Sequence, residues 1–196
     1  ELKLWQPLIE LLPSLVKAKL ITQSEHDELS QKAQCGLLRD IAEQKGSEGL
    51  IQHWNSLSRK LKNDTHLVHC FARQLIARKA DYEAFTVVKE ALKKQSIPEL
   101  YALIPEMNLT DRHPVEVFLQ DALRREATNA EAHSAIGQLY LRDQKWKEAQ
   151  THLEAALSHR SNVSDYAYLA DALEKQSLNK AAHEVTRKAL TLAKDT

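Results

Sequence analysis

Apolar residues recur along almost the whole chain at intervals of three and four, the spacing that lines one face of an α-helix. The apolar-polar alternation of a half-buried strand never persists beyond a few residues, so every predicted element is helical. The first runs from Leu4 to Leu20, with Pro7 in its opening turn, where a missing N–H costs little, and Pro13 as a kink. Thr22-Gln23-Ser24-Glu25 reads as a capping box that opens a long helix, Gly46 ends it, and a further helix spans Ser47 to about Lys60. Beyond that point the helices are shorter and come in pairs.

An Ala-Leu pair closes four of the later helical stretches, at Ala91-Leu92, Ala122-Leu123, Ala156-Leu157 and Ala189-Leu190, which sets periods of 31, 34 and 33 residues. The clearest unit spans Asn129 to Ser161, with Ile136, Gly137 and Tyr140 on its first helix and Ala149, Leu153 and Ala156 on its second. Small residues at 137 and 149 let the paired helices approach closely, while Tyr140 and Leu153 fill the space between repeats. The pattern recurs as Tyr166, Leu169, Ala170, Leu173, Ala182 and Ala189, and earlier as Val68, Phe71, Ala72, Leu75, Ala84, Val88 and Ala91. Thr186 stands where a large apolar residue belongs, as suits a terminal repeat whose outer face meets water.

These positions resemble those of a tetratricopeptide repeat. The resemblance implies an all-α, tetratricopeptide-repeat-like right-handed helical solenoid with an atypical helical N-terminal part. Residues 1–64 form that part, within which a degenerate repeat is one reading, and 65–196 form the repeat region, divided into 65–95, a degenerate 96–128, 130–162 and a terminal 163–196. In the degenerate unit Ser96-Ile97-Pro98-Glu99 caps a short helix stopped near Pro105, and a helix from about Pro114 to Glu126 completes it.

Composition agrees with helix, since only 4 Gly and 5 Pro interrupt a chain of 196 residues rich in Ala, Leu, Glu, Lys and Gln. Lys plus Arg (27) equals Asp plus Glu (27), which argues against nucleic acid, whose phosphates demand a basic surface. The basic runs Ser58-Arg59-Lys60-Leu61-Lys62 and Leu123-Arg124-Arg125 complement helix C-termini. Cys35 and Cys70 form no C-x-x-C pair and read most simply as buried apolar residues, with a disulfide between them as the minor alternative because a pair on successive helices must bring its Cα atoms within about 7 Å; unpaired, they agree with a reducing compartment. No stretch is apolar over the roughly 18 residues of a membrane span. The opening Glu1-Leu2-Lys3-Leu4-Trp5, without Met, suggests a piece of a longer chain.

Catalytic signatures are missing: there is no G-x-S-x-G turn, P-loop, H-E-x-x-H or D-x-D-x-D-G loop, so no catalytic residue is assigned and the chain is read as a non-enzyme. His53, His133, His152, His159 and His183 sit singly on predicted helices, with His26 and His113 near helix starts, in surface or packing roles. His66 and His69 share one helical face, chelating geometry for a metal or haem iron. Two imidazoles alone make an incomplete site, so no metal and no cofactor is assigned.

Stretches outside the repeat pattern carry a more specific likeness. Gly46-Ser47-Glu48-Gly49-Leu50 with Trp54 and Ser58-Arg59-Lys60, Leu100-Tyr101-Ala102-Leu103-Ile104-Pro105, and Asp165-Tyr166-Ala167-Tyr168-Leu169-Ala170-Asp171-Ala172-Leu173 resemble the HemY family of bacterial inner-membrane proteins associated with haem biosynthesis. The resemblance implies a repeat domain tethered to the inner membrane by an N-terminal pair of helices not in this sequence. It also implies a position on the cytoplasmic side, from the basic segment that follows those helices in the family. The flavin-dependent oxidase that shares the name is excluded, because no G-x-G-x-x-G fingerprint is present.

The expected function is a protein-interaction scaffold receiving a protein or peptide, haem-pathway enzymes among the partners, with a porphyrin or haem carrier as the alternative. In repeats of this type set positions of the first helix line a concave groove. Here they are His66, His69, Arg73, Ile76 and Ala77, then Ser134, Gln138, Leu141 and Arg142, then Asp171, Glu174 and Lys175. His66, His69 and Arg73 suit an anionic group, whether a peptide carboxylate or a porphyrin propionate.

Overall fold

The computed structural model describes residues 4–194; residues 1–3 and 195–196, the outer ends of the expected N-terminal part and terminal repeat, lie outside them. Among the described residues there are eleven α-helices and no strand, and the chain divides between Ile97 and Pro98 into two compact units.

The first unit holds α1 (Trp5–Lys17), α2 (Gln23–Ser56), α3 (Arg59–Lys62), α4 (Thr65–Ile76) and α5 (Asp81–Leu92). The capping box forms as expected: Thr22 Oγ1 accepts from the Glu25 N–H at 3.2 Å, and the Glu25 carboxylate accepts from the Thr22 N–H at 2.8 Å. As expected, the first helical stretch of α2 stops at Gly46, whose φ of 65° and ψ of −164° are not helical, and a second stretch sets off from there on a new course through Ser56. The expected continuation to Lys60 fails because Leu57 is extended (ψ 150°) and Ser58 begins a separate short helix, its Oγ accepting from the Leu61 N–H at 3.4 Å.

Packing in this unit runs from α1 through α2 to α4 and α5. A Cβ on Gly36 would lie 2.4 Å from Trp5 Cε2, so only glycine lets the indole settle on α2. Further along α2, Trp54 stacks on Phe71 of α4 with ring centroids 4.1 Å apart and planes 3° from parallel. Arg78 donates to the Ala42 carbonyl at 2.7 Å and the Gln74 carbonyl at 3.1 Å, closing the same interface with polar contacts. The cysteines depart from expectation. Cys35 of α2 and Cys70 of α4 form a disulfide with Cα atoms 5.6 Å apart, and both are half-buried. Two helices that cross face to face brought together residues 35 apart in sequence, and the unpaired thiols that favoured a reducing compartment are not there.

The second unit opens with α6 (Pro98–Leu103), which tightens into a 3-10 turn at Ile104–Glu106 around Pro105, as the sequence led one to expect. There follow α7 (His113–Arg125), α8 (Ala130–Arg142), α9 (Trp146–His159), α10 (Val163–Lys175) and α11 (Asn179–Lys194). Asn129 and Asn162 cap α8 and α10, accepting from backbone N–H groups at 2.9 and 3.0 Å. Ile136, Ala149, Leu153 and Ala156 are buried, and Leu153, Leu169, Leu173 and Ala182 form one apolar cluster that joins α9, α10 and α11. Thr186 is exposed on the outer side of α11, as a terminal helix requires.

One turn recurs in both units. Lys19, Lys79, Gln144 and Ser177 each adopt a positive φ (54°, 59°, 58° and 63°) directly after a helix. In each case the next residue donates back five positions: Leu20 to Leu15 at 3.0 Å, Ala80 to Leu75 at 3.0 Å, Lys145 to Tyr140 at 2.9 Å and Leu178 to Leu173 at 2.9 Å. This is the Schellman reversal, and it closes the α1–α2 hairpin as well as the three clear repeat hairpins.

Polar groups hold the second unit's interior too. Buried Ser134 donates to Asp165 Oδ1 at 2.6 Å, and Asp165 Oδ2 lies 2.9 Å from Arg160 Nη1. Arg160 also donates to Glu131 at 2.8 Å. These contacts join α8, the α9–α10 connection and α10 through side chains. Removing the carboxylate leaves the buried Ser134 hydroxyl without its acceptor while Arg160 keeps Glu131, so Asp165→Ala is expected to destabilise by about 1–3 kcal/mol in urea unfolding, the cost of an unsatisfied buried polar group. Gly137→Leu tests the apolar side. Even a Cβ at 137 would meet Leu153 Cγ at 2.7 Å in a fully buried layer, so overpacking of about 1–3 kcal/mol or more is expected. A melting temperature equal to wild type would contradict the repeat register.

Candidate functional site

The first unit contains a cavity of about 620 Å³ between α1, α2 and α4. Sequence reasoning placed His66, His69 and Arg73 together, and all three line it. Their helix explains this, since positions 66, 69 and 73 lie at spacings of three and four on α4. The opposite wall was not foreseen: α2 brings Lys32, Cys35, Gly36 and Arg39, and α1 brings Trp5. His66, Arg73, Lys32 and Arg39 are exposed and His69 is half-buried. Glu28 is the one acidic residue among those lining the cavity, so the cavity carries a positive excess. Trp5 adds an indole N–H that is buried without a hydrogen-bond partner among the described residues. Ile76, on the same helix, does not line this cavity and is half-buried.

The candidates in the second unit are placed differently. Ser134 is buried in the Asp165 network, and Gln138 donates to its hydroxyl at 3.1 Å. Leu141 packs against the cluster of Leu153, Leu169, Leu173 and Ala182. Arg142 donates to the Met107 carbonyl at 3.3 Å, which ties α8 to the segment after the 3-10 turn. Asp171 and Lys175 are exposed one turn apart on α10. Of this set the α10 pair and Arg142 are exposed, Gln138 and Leu141 are half-buried, and Ser134 is buried.

This fold defines a helical-repeat protein of the tetratricopeptide class. The crystal structure of MamA protein matches it with a TM-score of 0.52 over 81% of this chain and 91% of that one, at 17% identity, a likeness of fold alone. No family model matches the chain. It is similar to Protein HemY of Escherichia coli strain K12, at 29% identity over 188 residues, and equally to Protein HemY of Shigella flexneri. The match covers 96% of this chain and 47% of the relative, so the chain spans about half the length of the curated relatives it matches. The HemY resemblance read from the motifs therefore holds along nearly the whole sequence.

Two histidines read as solitary turn out to be partners. His133 Nδ1 and His152 Nδ1 lie 2.9 Å apart, and His133 Nε2 is 3.1 Å from the Ala127 carbonyl. A carbonyl only accepts, so His133 carries its proton on Nε2 and its Nδ1 accepts from the His152 Nδ1–H. In that arrangement both rings are neutral, as their burial favours. Burial, reinforced by the neighbouring His133 imidazole, pushes His152 down to about 4 from its ordinary 6.5. Burial also lowers His133, against the favourable Ala127 contact. Between those two values the unfolded chain binds a proton that the folded chain refuses. Stability is therefore full above about pH 6.5 and falls as the pH drops toward 4. Urea unfolding near neutrality and near pH 5 should show this loss, and His152→Gln should reduce it. An equal acid loss in that variant would assign the effect to other groups.

Proposed function

We propose that this chain is a protein-interaction scaffold of a membrane-associated protein linked to haem biosynthesis, and that the cavity on the first unit is its recognition centre. The observation that carries the reading is the gathering of Arg73, Lys32, Arg39, His66 and His69 around one cavity with a single carboxylate. Such a surface selects an anion: guanidinium forks pair with carboxylates in two parallel hydrogen bonds, and imidazoles supply further donors. Tetratricopeptide-type folds generally serve protein interaction, and a peptide carboxylate on a haem-pathway enzyme fits this chemistry. Tethering to the bacterial inner membrane belongs to the HemY resemblance. No described helix is long and apolar enough to cross a membrane, so the tether would lie outside this chain. The bonded cysteines withdraw the support that unpaired thiols gave to the cytoplasmic side.

A second reading, a porphyrin or haem carrier, is favoured by the same cavity, where two imidazoles stand beside cations suited to propionates. The two readings separate in one titration. A saturable Soret shift on adding haem, lost on replacing both His66 and His69 by Ala, supports the carrier; nonspecific broadening supports the scaffold.

For the scaffold, partners captured from membranes by the full-length tethered protein should be lost when His66, His69 and Arg73 are all replaced by Ala. With such a partner in hand, Arg73→Ala should weaken binding by about 1.5–3 kcal/mol, the worth of hydrogen bonds to charged groups. Undiminished affinity in the triple variant would remove this cavity from the binding site.

A further inference from the structure

Two cysteines on the cavity wall that partner recognition does not use stand beside one of its histidines. Cys35, Cys70 and His66 offer two sulfurs and one imidazole nitrogen that all lie within 4.8 Å of one another. The helices impose the meeting. His66 and Cys70 are four residues apart on α4 and so share its face, and Cys35 reaches them from α2. Both cysteines are half-buried and His66 is exposed, so the group is held by the packed interface yet remains accessible from the cavity.

We propose that these residues form a redox-gated metal site, in which the reduced dithiol and His66 hold a thiophilic divalent cation of the zinc type and the disulfide excludes it. Two thiolates and a neutral imidazole balance a double positive charge, and this mixed sulfur-nitrogen set selects zinc over oxygen-seeking cations. Zinc takes sulfur at about 2.3 Å and imidazole nitrogen at about 2.0–2.1 Å, which puts tetrahedral ligand atoms roughly 3.4–3.8 Å apart. Parting the sulfurs and turning the exposed His66 ring brings the three atoms into that range, across helices whose Cα atoms stand 5.6 Å apart. The fourth position faces the cavity and takes water or a carboxylate. Arg73 and Lys32, which line the same cavity, favour the thiolate form.

The chemistry balances. An external dithiol passes two electrons and two protons to the Cys35–Cys70 bond and becomes a disulfide itself. The two thiols then bind the cation and release two protons. Oxidation by a disulfide-bearing oxidant takes two electrons from the thiolates, rebuilds the S–S bond and discharges the cation. This site stands whether or not the cavity recognises a partner.

The test uses the whole chain, reduced with a non-chelating phosphine and freed of excess reductant without air. Cobalt(II) serves as the spectroscopic probe and zinc(II) as its competitor. The reduced chain should bind one cobalt with sulfur-to-metal charge-transfer absorption, and zinc should displace it. The oxidised chain should bind none, Cys35→Ser should abolish binding, and His66→Ala should weaken it by about tenfold or more. Absence of stoichiometric binding by the reduced chain, equal binding by the oxidised chain, or an affinity indifferent to His66→Ala would each overturn the proposal. Far-UV circular dichroism covers the case in which reduction loosens the first unit. Zinc should then restore the helicity, and helicity that stays lost with zinc present would overturn it as well.

Discussion

Two antiparallel helices of a dozen residues share a core only where their backbones come close and the chain reverses within two or three residues. Both demands fall on single positions here. At the crossing of α8 and α9, Gly137 faces Leu153 with no room even for a methyl group. At the reversal, Lys79, Gln144 and Ser177 accept a left-handed conformation that L-residues resist by roughly 1–2 kcal/mol. The backbone hydrogen bonds of the reversal satisfy carbonyls that would otherwise be orphaned at the helix end, which offsets that resistance. Everything built on the helix pairs depends on this geometry, including which residues of α4 look toward α2.

The two units solve the next problem, joining one pair to its neighbours, with different chemistry. The first uses ring stacking between Trp54 and Phe71, the reach of Arg78 to Ala42, and a covalent bond between Cys35 and Cys70. The second uses the Ser134, Asp165, Arg160 and Glu131 chain over a layer of leucine and alanine. A hydrogen-bonded ionic chain fixes one arrangement because any shift strands a charge away from water. A disulfide fixes one arrangement only while it stays oxidised. The first unit therefore carries the interface whose rigidity depends on redox conditions, and that interface is also the wall of the cavity.

The helices were legible because each rests on local rules: the Thr22 and Glu25 box, the Ser96–Glu99 cap signal, and the alanines that recur with the repeat. Gly46 was legible because glycine takes the positive φ at which a helical stretch stops. The reversals at Lys79, Gln144 and Ser177 were silent, since none carries the glycine that usually marks the conformation. One wall of the cavity comes from α4 alone, where helical spacing groups His66, His69 and Arg73. The other wall, on α1 and α2, lies more than 25 residues upstream of His66, and no local pattern connects the two. Ser134 failed to signal its burial because a serine at a surface-type position gives no hint of a buried aspartate 31 residues later.

The same distance problem explains why the cysteines and paired histidines escaped. The histidines were judged singly, and the cysteine pair was disfavoured because sequence does not measure how near two helices come; the decisive partner sits on another packed helix, 35 residues away for Cys35 and 19 for His133. In a stack of helix pairs the faces that meet are set by the repeat, so residues about one helix or one repeat apart are natural neighbours. The separations observed in the polar contacts, 31 for Ser134 to Asp165, 31 for Arg112 to Asp143 and 29 for Glu131 to Arg160, cluster at that period. A chemical group in such a chain is therefore best sought at the period of the fold and not within a short motif. Applied to His66 on α4, that rule directs attention back by about one repeat to Cys35, the residue that the structure sets beside it.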